Sequence, residues 1–193
     1  KQNHARQWFA VFACEVELPK VQHTSAEKVG VDVGLENFAT LSDGSIIANP
    51  HHIIKAEKRL KLLHRRLSRK VKGSNNRRKA RFLLANQYLK ITNQRRDFLH
   101  KLSHKIVQTY SFIAVEDLTV RNMVKNHRLA KHISDASWSA FFSNLEYKAV
   151  TSGSKFVKVN PRGTTKTCSS CGAIQDMPLG IRQFNCAQCD FVC

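Results

Sequence analysis

The sequence predicts an α/β protein whose short strands are interrupted by a basic helical hairpin and followed by a small cysteine module. Three observations predict it. Apolar residues recur with a period of two in several short segments and with a period of three to four in others. Residues 55–105 hold 18 of the 32 Lys and Arg residues. Two Cys-x-x-Cys pairs lie beyond Pro161. A length of 193 residues accommodates one domain with a sizeable core and a small satellite.

The elements follow in order. In residues 8–18, Trp8, Ala10, Phe12, Cys14, Val16 and Leu18 alternate with Phe9, Val11, Ala13, Glu15 and Glu17, the pattern of a strand. Cys14 in that strand reads as a small buried hydrophobe. After a polar link, residues 28–34 form a second strand with Asp32 at its centre, and residues 38–41 and 45–48 flank Ser42-Asp43-Gly44 as a hairpin. Ile53, Ala56, Leu60, Leu63 and Leu67 then mark one face of a helix. Gly73-Ser74-Asn75-Asn76 breaks it, and Leu84, Tyr88, Ile91, Phe98, Leu102 and Ile106 mark a second. Residues 53–108 are therefore an antiparallel helical hairpin whose apolar stripes are core. Residues 112–116 read as a buried strand ending in Glu116. A helix capped by Ser134 or Asp135 follows, with Trp138, Phe141, Phe142, Leu145 and Ala149 inward and Gly153 closing it. Residues 155–159 alternate as a last strand before a Cys, Gly and Thr-rich module over 161–193.

Charge narrows the partners. The net charge is +18, and residues 55–105 set their 18 cations against only Glu57 and Asp97. An excess so one-sided repels itself unless a polyanion neutralises it, and counterion release makes nucleic acid the partner that gains most. Arg65, Arg66, Arg69, Lys70, Lys72, Arg77, Arg78, Lys79 and Arg81 are the candidate contacts; the alternative is a solvated helix surface. No apolar run approaches the ~20 residues that cross a bilayer. Lys1-Gln2-Asn3-His4 does not open a signal peptide, and the expected location is the cytoplasm.

Cys168-Ser169-Ser170-Cys171 and Cys186-Ala187-Gln188-Cys189 are separated by 14 residues, a spacing that suits two knuckles closing on one tetrahedral ion. Thiolates favour zinc, or iron in a redox protein. Four Cys ligands leave no open position, so the ion is structural. A pair of disulfides is the alternative, disfavoured where thiols stay reduced. Cys193 reads as a spare thiol.

Asp32 and Glu116 are carboxylates among apolar strand residues, costly to bury unless a cation or donor meets them. On neighbouring strands of one sheet, two such acids can share a pair of divalent ions, the arrangement that activates water and steadies the leaving oxygen in phosphodiester cleavage.

Val29-Gly30-Val31-Asp32-Val33-Gly34-Leu35-Glu36-Asn37-Phe38-Ala39-Thr40 resembles the first RuvC motif of the OrfB/TnpB transposon-encoded nucleases, and Val115-Glu116-Asp117-Leu118 with Asn122-Met123 resembles the second. Leu129-Ala130-Lys131-His132-Ile133-Ser134-Asp135-Ala136-Ser137-Trp138 is similar to the family's connecting helix, and the cysteine pairs to its zinc ribbon. The resemblance implies an RNase H-like (RuvC) mixed sheet over residues 28–160 with the hairpin inserted and a zinc ribbon over 161–193. It also implies RNA-guided, magnesium-dependent cutting of DNA, in which a guide RNA supplies sequence by pairing. Asp32 and Glu116 carry over as magnesium-binding catalytic acids, and Cys168, Cys171, Cys186 and Cys189 as zinc ligands. Residues 1–20 correspond to the last strand of an N-terminal barrel. The family's third acid lies in an Asp-Arg-Asp-x-Asn-Ala-Ala motif beyond the second cysteine pair, and Asp190, inside the knuckle, is no substitute. These 193 residues alone are therefore expected not to cut. The reading from a different class is a non-enzymatic zinc-ribbon protein that holds DNA or RNA through the basic hairpin.

Overall fold

The computed structural model describes residues 1–3, 5–15, 25–163, 166–177, 183–189 and 191–192. The chain divides into two compact units, residues 1–115 with 119–157, and residues 116–118 with 158–193.

In the first unit, β1 (Ser25–Val33) pairs antiparallel with β2 (Asn37–Leu41), which pairs antiparallel with β3 (Ile46–Ala48) across the expected turn. Helix α1 (His52–Ser68) and the 35-residue α2 (Asn75–Thr109) form the basic hairpin, and α2 leads directly into β4 (Tyr110–Glu116). The short α3 (Val120–Met123) and α4 (Ala130–Ala136) precede α5 (Trp138–Ser152) and β5 (Lys155–Val159). The five strands make one sheet in the order β3-β2-β1-β4-β5, mixed because β4 runs parallel to β1.

Period-two patterning decides which side of the sheet is covered. Val29 and Val31 of β1 and Ile113 and Val115 of β4 are buried. Lys28 and Asp32 are exposed, and Phe112 and Glu116 are half-buried. Phe38 joins sheet to helices by edge-to-face contacts with Phe98 of α2 at 5.0 Å and Phe141 of α5 at 5.1 Å. The hairpin has its own core of Leu60, Leu63, Leu84 and Ile91. Gly153 ends α5 at φ 76°, a left-handed position that costs glycine little.

Four expectations are corrected. Residues 9–15 form no strand; Trp8 makes only an isolated bridge to Gln2. Alternation sets which side chains share a face but supplies no partner edge, and Val11 and Phe12 are 91% and 81% exposed. Residues 16–18 of that expected strand lie outside the described residues. Cys14 is accordingly exposed rather than buried. The helix expected to start at Ser134 or Asp135 is broken instead into α4 and α5 at Ser137, which sits in the left-handed region at φ 58°. Asp135 does cap a helix, but a distant one: both its carboxylate oxygens accept from the Ile53 backbone N–H of α1, at 3.1 and 3.0 Å. Tyr88, expected in the core stripe of α2, is 45% exposed, its hydroxyl 2.8 Å from His64 Nε2.

Candidate metal and nucleic-acid sites

The second unit gathers the four cysteines. Each knuckle closes on backbone bonds, Cys168 N–H to Ala173 O at 2.8 Å and Cys186 N–H to Phe191 O at 2.8 Å. Gly172 turns the first at φ 76°. Gln175 ties the knuckles together: its side-chain amide donates to Asn185 O at 2.7 Å and accepts from Ala187 N–H at 3.1 Å. Phe184 packs beside Cys168 and Cys186, with Met177 and Phe191 against them.

As a result the sulfurs of Cys168, Cys171, Cys186 and Cys189 all lie within 4.8 Å of one another. The pairs Cys168–Cys189 and Cys171–Cys186 stand 3.6 Å apart across the knuckles. Ligands at ~2.3 Å from a tetrahedral ion are separated by roughly 3.8 Å, whereas a disulfide brings sulfurs to about 2.05 Å. The four thiols are free and their spacing fits a metal. The backbone N–H of Cys171 donates to the Cys168 sulfur and holds its pKa down to about 6, toward the thiolate a metal requires. For Cys171 the Ala173 N–H also acts to lower the pKa, but hydrogen bonding with the thiol of Cys189 and burial outweigh it and push Cys171 up to about 12.

The acids are positioned by strand register. Asp32 is the second-last residue of β1 and Glu116 the last of β4. The parallel register pairs Val29 with Ile113 and Val31 with Val115, so each acid follows a register-paired valine. Both valines are buried, which turns the next position to the opposite face. Asp32 is exposed and lies across from Thr40 of β2. The burial cost expected for Asp32 is therefore not incurred. Toward the other end of the same face, the ammonium groups of Lys28 and Lys155 lie 6.0 and 5.8 Å from the Phe112 ring.

The basic candidates lie at the tip of the hairpin. Arg65, Arg66, Arg69, Lys70, Lys72, Arg78, Lys79 and Arg81 are exposed. The two acids of the segment are already engaged, Glu57 with Lys61 at 2.9 Å and Lys131 at 3.2 Å, and Asp97 with Lys101 at 2.8 Å. Hence no carboxylate of the segment neutralises the tip. Arg77 differs: half-buried, it donates from one Nη to Leu67 O at 3.1 Å and Lys70 O at 2.9 Å, fastening the end of α1, while Ser74 Oγ caps α2 by accepting from Arg77 N–H at 3.1 Å.

Sequence reasoning missed Phe82 and Tyr88 as surface aromatics, both on the exposed side of α2. The adjacency of Arg81 and Phe82 was the available signal, but an aromatic at helical spacing is usually core.

The chain is similar to known proteins. Residues 11–127 match the family described as "OrfB_IS605: Probable transposase", and residues 138–193 match the "Cas12f1-like, TNB domain". A Streptomyces pristinaespiralis protein named "Putative RNA-guided DNA endonuclease" is 41% identical over 187 residues, 96% of this chain and 46% of that protein. In Escherichia coli (strain K12), "Putative RNA-guided DNA endonuclease InsQ" is 33% identical over 195 residues, 93% of this chain and 48% of that protein. The chain thus spans about half the length of these relatives. The solved structure described as "Cryo-EM structure of CRISPR-Cas12f Ternary Complex" aligns with a TM-score of 0.56 and 19% identity, covering 92% of this chain and 38% of that one, a likeness of fold. Among the described residues no helix is long and apolar enough to cross a membrane. With the first match alone extending over 11–127 of its 193 residues, the chain belongs to the OrfB_IS605 transposase family.

Proposed function

We propose that the chain is the RuvC-type, RNase H-like nuclease core of an RNA-guided DNA endonuclease, acting in the cytoplasm on DNA selected by a guide RNA. The observation that carries this reading is the register of β1 and β4, which makes Asp32 and Glu116 successors of paired valines at the carboxyl ends of adjacent parallel strands. Ligands of open α/β sheets bind at that end.

Two carboxylates form a hard oxygen donor set that fits Mg2+, and Asp32 and Glu116 would hold it. When bound, magnesium supplies an activated water and stabilises the leaving oxygen of a phosphodiester. The protein's own residues do the rest. Asp32 and Glu116 each offer a carboxylate that would serve as a ligand for such an ion, and the exposed cations at the hairpin tip hold strand phosphates. Arg77 keeps that tip in shape. Cys168, Cys171, Cys186 and Cys189 would hold zinc, closing a ribbon with no position left for substrate.

The test is cleavage of plasmid DNA, in magnesium, by a longer chain that continues through the Asp-Arg-Asp-x-Asn-Ala-Ala motif, the plasmid carrying the complement of the RNA that copurifies with it. Asp32→Ala and Glu116→Ala should each slow cutting on the order of 100-fold or more, since a lost metal ligand forfeits several kcal/mol of transition-state stabilisation, while DNA binding stays intact. Cutting at the parent rate by either variant would overturn the assignment.

A further inference from the structure

Within the first unit a cleft of about 800 Å³ lies between the N-terminal turn and the first half of α2. This volume is in the range of sites that take a molecule of nucleotide size. Its lining is mainly apolar and includes Phe82, Tyr88 and Leu89, together with Arg6, Arg78 and Arg81. Phe82 and Tyr88 are 37% and 45% exposed, so two aromatic rings face outward from the most basic helix of the chain. Aromatic side chains interleaved with arginines form the stacking platform on which unpaired bases rest, because every base has a π-face whatever its sequence.

Two further features show a built site. The Tyr88 hydroxyl lies 2.8 Å from His64 Nε2, which fixes the ring's orientation. On the other wall, Asn3 organises a tight turn, its side-chain oxygen accepting from Ala5 N–H at 3.0 Å and Gln7 N–H at 2.9 Å. This turn holds Arg6 at φ 62°, a conformation a non-glycine residue adopts only when its surroundings impose it. The Arg6 guanidinium is thereby set 5.5 Å from the centroid of the Phe82 ring. A strained backbone that delivers a cation to an aromatic ring at the edge of an open cleft is a recognition device rather than a core contact.

The geometry points to this cleft as the seat of one unpaired nucleotide, its base against Phe82 and Tyr88 and its phosphates between Arg78 and Arg81. The inference rests on the proposed nucleic-acid function and adds to it a preference: the hairpin tip reads charge alone, whereas the cleft reads the absence of pairing. The charge complementarity of three arginines in an otherwise mainly apolar lining selects a nucleotide over an apolar segment of protein.

The experiment compares three probes on the full chain: eight-residue oligouridine, oligothymidine and a duplex of equal length. Phe82→Ala and Tyr88→Leu should weaken single-strand binding roughly 5- to 100-fold, the range for loss of one stacked base, and leave duplex binding unchanged. Whichever single-strand arm shows the loss identifies the strand as RNA or DNA. In parallel, 5-iodouridine within the oligonucleotide should photocross-link to the peptide spanning 82–88. Circular dichroism checks that the variants remain folded, and Phe82→Tyr, which keeps the ring, should restore single-strand affinity. Unchanged single-strand affinity in both alanine and leucine variants, or an equal loss on duplex and single strand, would overturn the cleft assignment. Failure of all probes to bind even the parent chain would instead refute the underlying nucleic-acid reading.

Discussion

Asp135 is 5% exposed, and its carboxylate meets the start of α1 from a position 82 residues away. His51, the residue that precedes α1, offers no side-chain cap, so Asp135 satisfies an amide that the helix leaves open. Asp135→Ala should cost about 1–3 kcal/mol, the penalty of leaving a buried group unpaired, read as a lower urea midpoint; an unchanged midpoint would show that the cap is redundant. Tyr110 and Asp43 make a second long-range tie, the hydroxyl of β4 donating to the hairpin-turn carboxylate. That bond, aided by the Ser45 backbone N–H, holds Asp43 below its ordinary 3.8. A depressed folded pKa stabilises above the unfolded value, and the gain is lost as pH falls below 3.8. The same bond pushes Tyr110 from 10.0 up to about 12. This contribution is complete below pH 10.0 and fades as pH rises toward about 12. Tyr110→Phe should remove the alkaline dependence from the thermal midpoint measured against pH and reduce the acid one, which the Ser45 N–H still supports. A wild-type profile flat in both windows would contradict the tie.

At the scale of elements, the hairpin combines two roles that mutation can separate. Replacing Arg65, Arg66, Arg69, Arg78 and Arg81 with Gln should weaken nucleic-acid binding and flatten its dependence on salt, by up to about 0.9 in logarithmic slope per cation removed. Arg77→Gln should act differently, loosening the loop whose Leu67 and Lys70 carbonyls it ties. The distinction is visible as a lower unfolding temperature for Arg77→Gln alone. An unaltered salt slope in the multiple variant would mean the tip faces only solvent. The cysteine knuckles are the other separable element. Their apolar support is small, mainly Phe184 with Met177 and Phe191, so metal binding and folding should be coupled. A chelator should expose the amides of Cys168 and Cys186 to rapid hydrogen exchange while the helical signal of α1 and α2 persists. Retained amide protection would show that the knuckles stand without an ion.

Across the whole molecule, the sheet strands, the helical hairpin and the cysteine spacing were readable because each leaves a local trace in sequence. Val29 and Val31 alternate with Lys28, Gly30 and Asp32, and the turn at Ser42-Asp43-Gly44 sits where the hairpin bends. What escaped depends on partners distant in sequence. Residues 9–15 alternate yet form no strand, and Ser137 breaks a helix without glycine or proline at a point where Arg95 meets Ser137 Oγ at 2.9 Å and Ser134 O at 3.3 Å. Tyr88 follows a core spacing but faces outward, a consequence of how α1 and α2 pair rather than of either helix alone. The acids were legible as strand residues, but their place at the carboxyl ends of neighbouring parallel strands is set by topology. The proposed function assigns both acids to metal binding, and Mn2+, a paramagnetic stand-in for magnesium, tests that most directly. Titrated into the chain and followed by electron paramagnetic resonance, it should bind at a site lost in both Asp32→Ala and Glu116→Ala and kept in Cys168→Ser. Binding that survives both carboxylate substitutions would contradict the account.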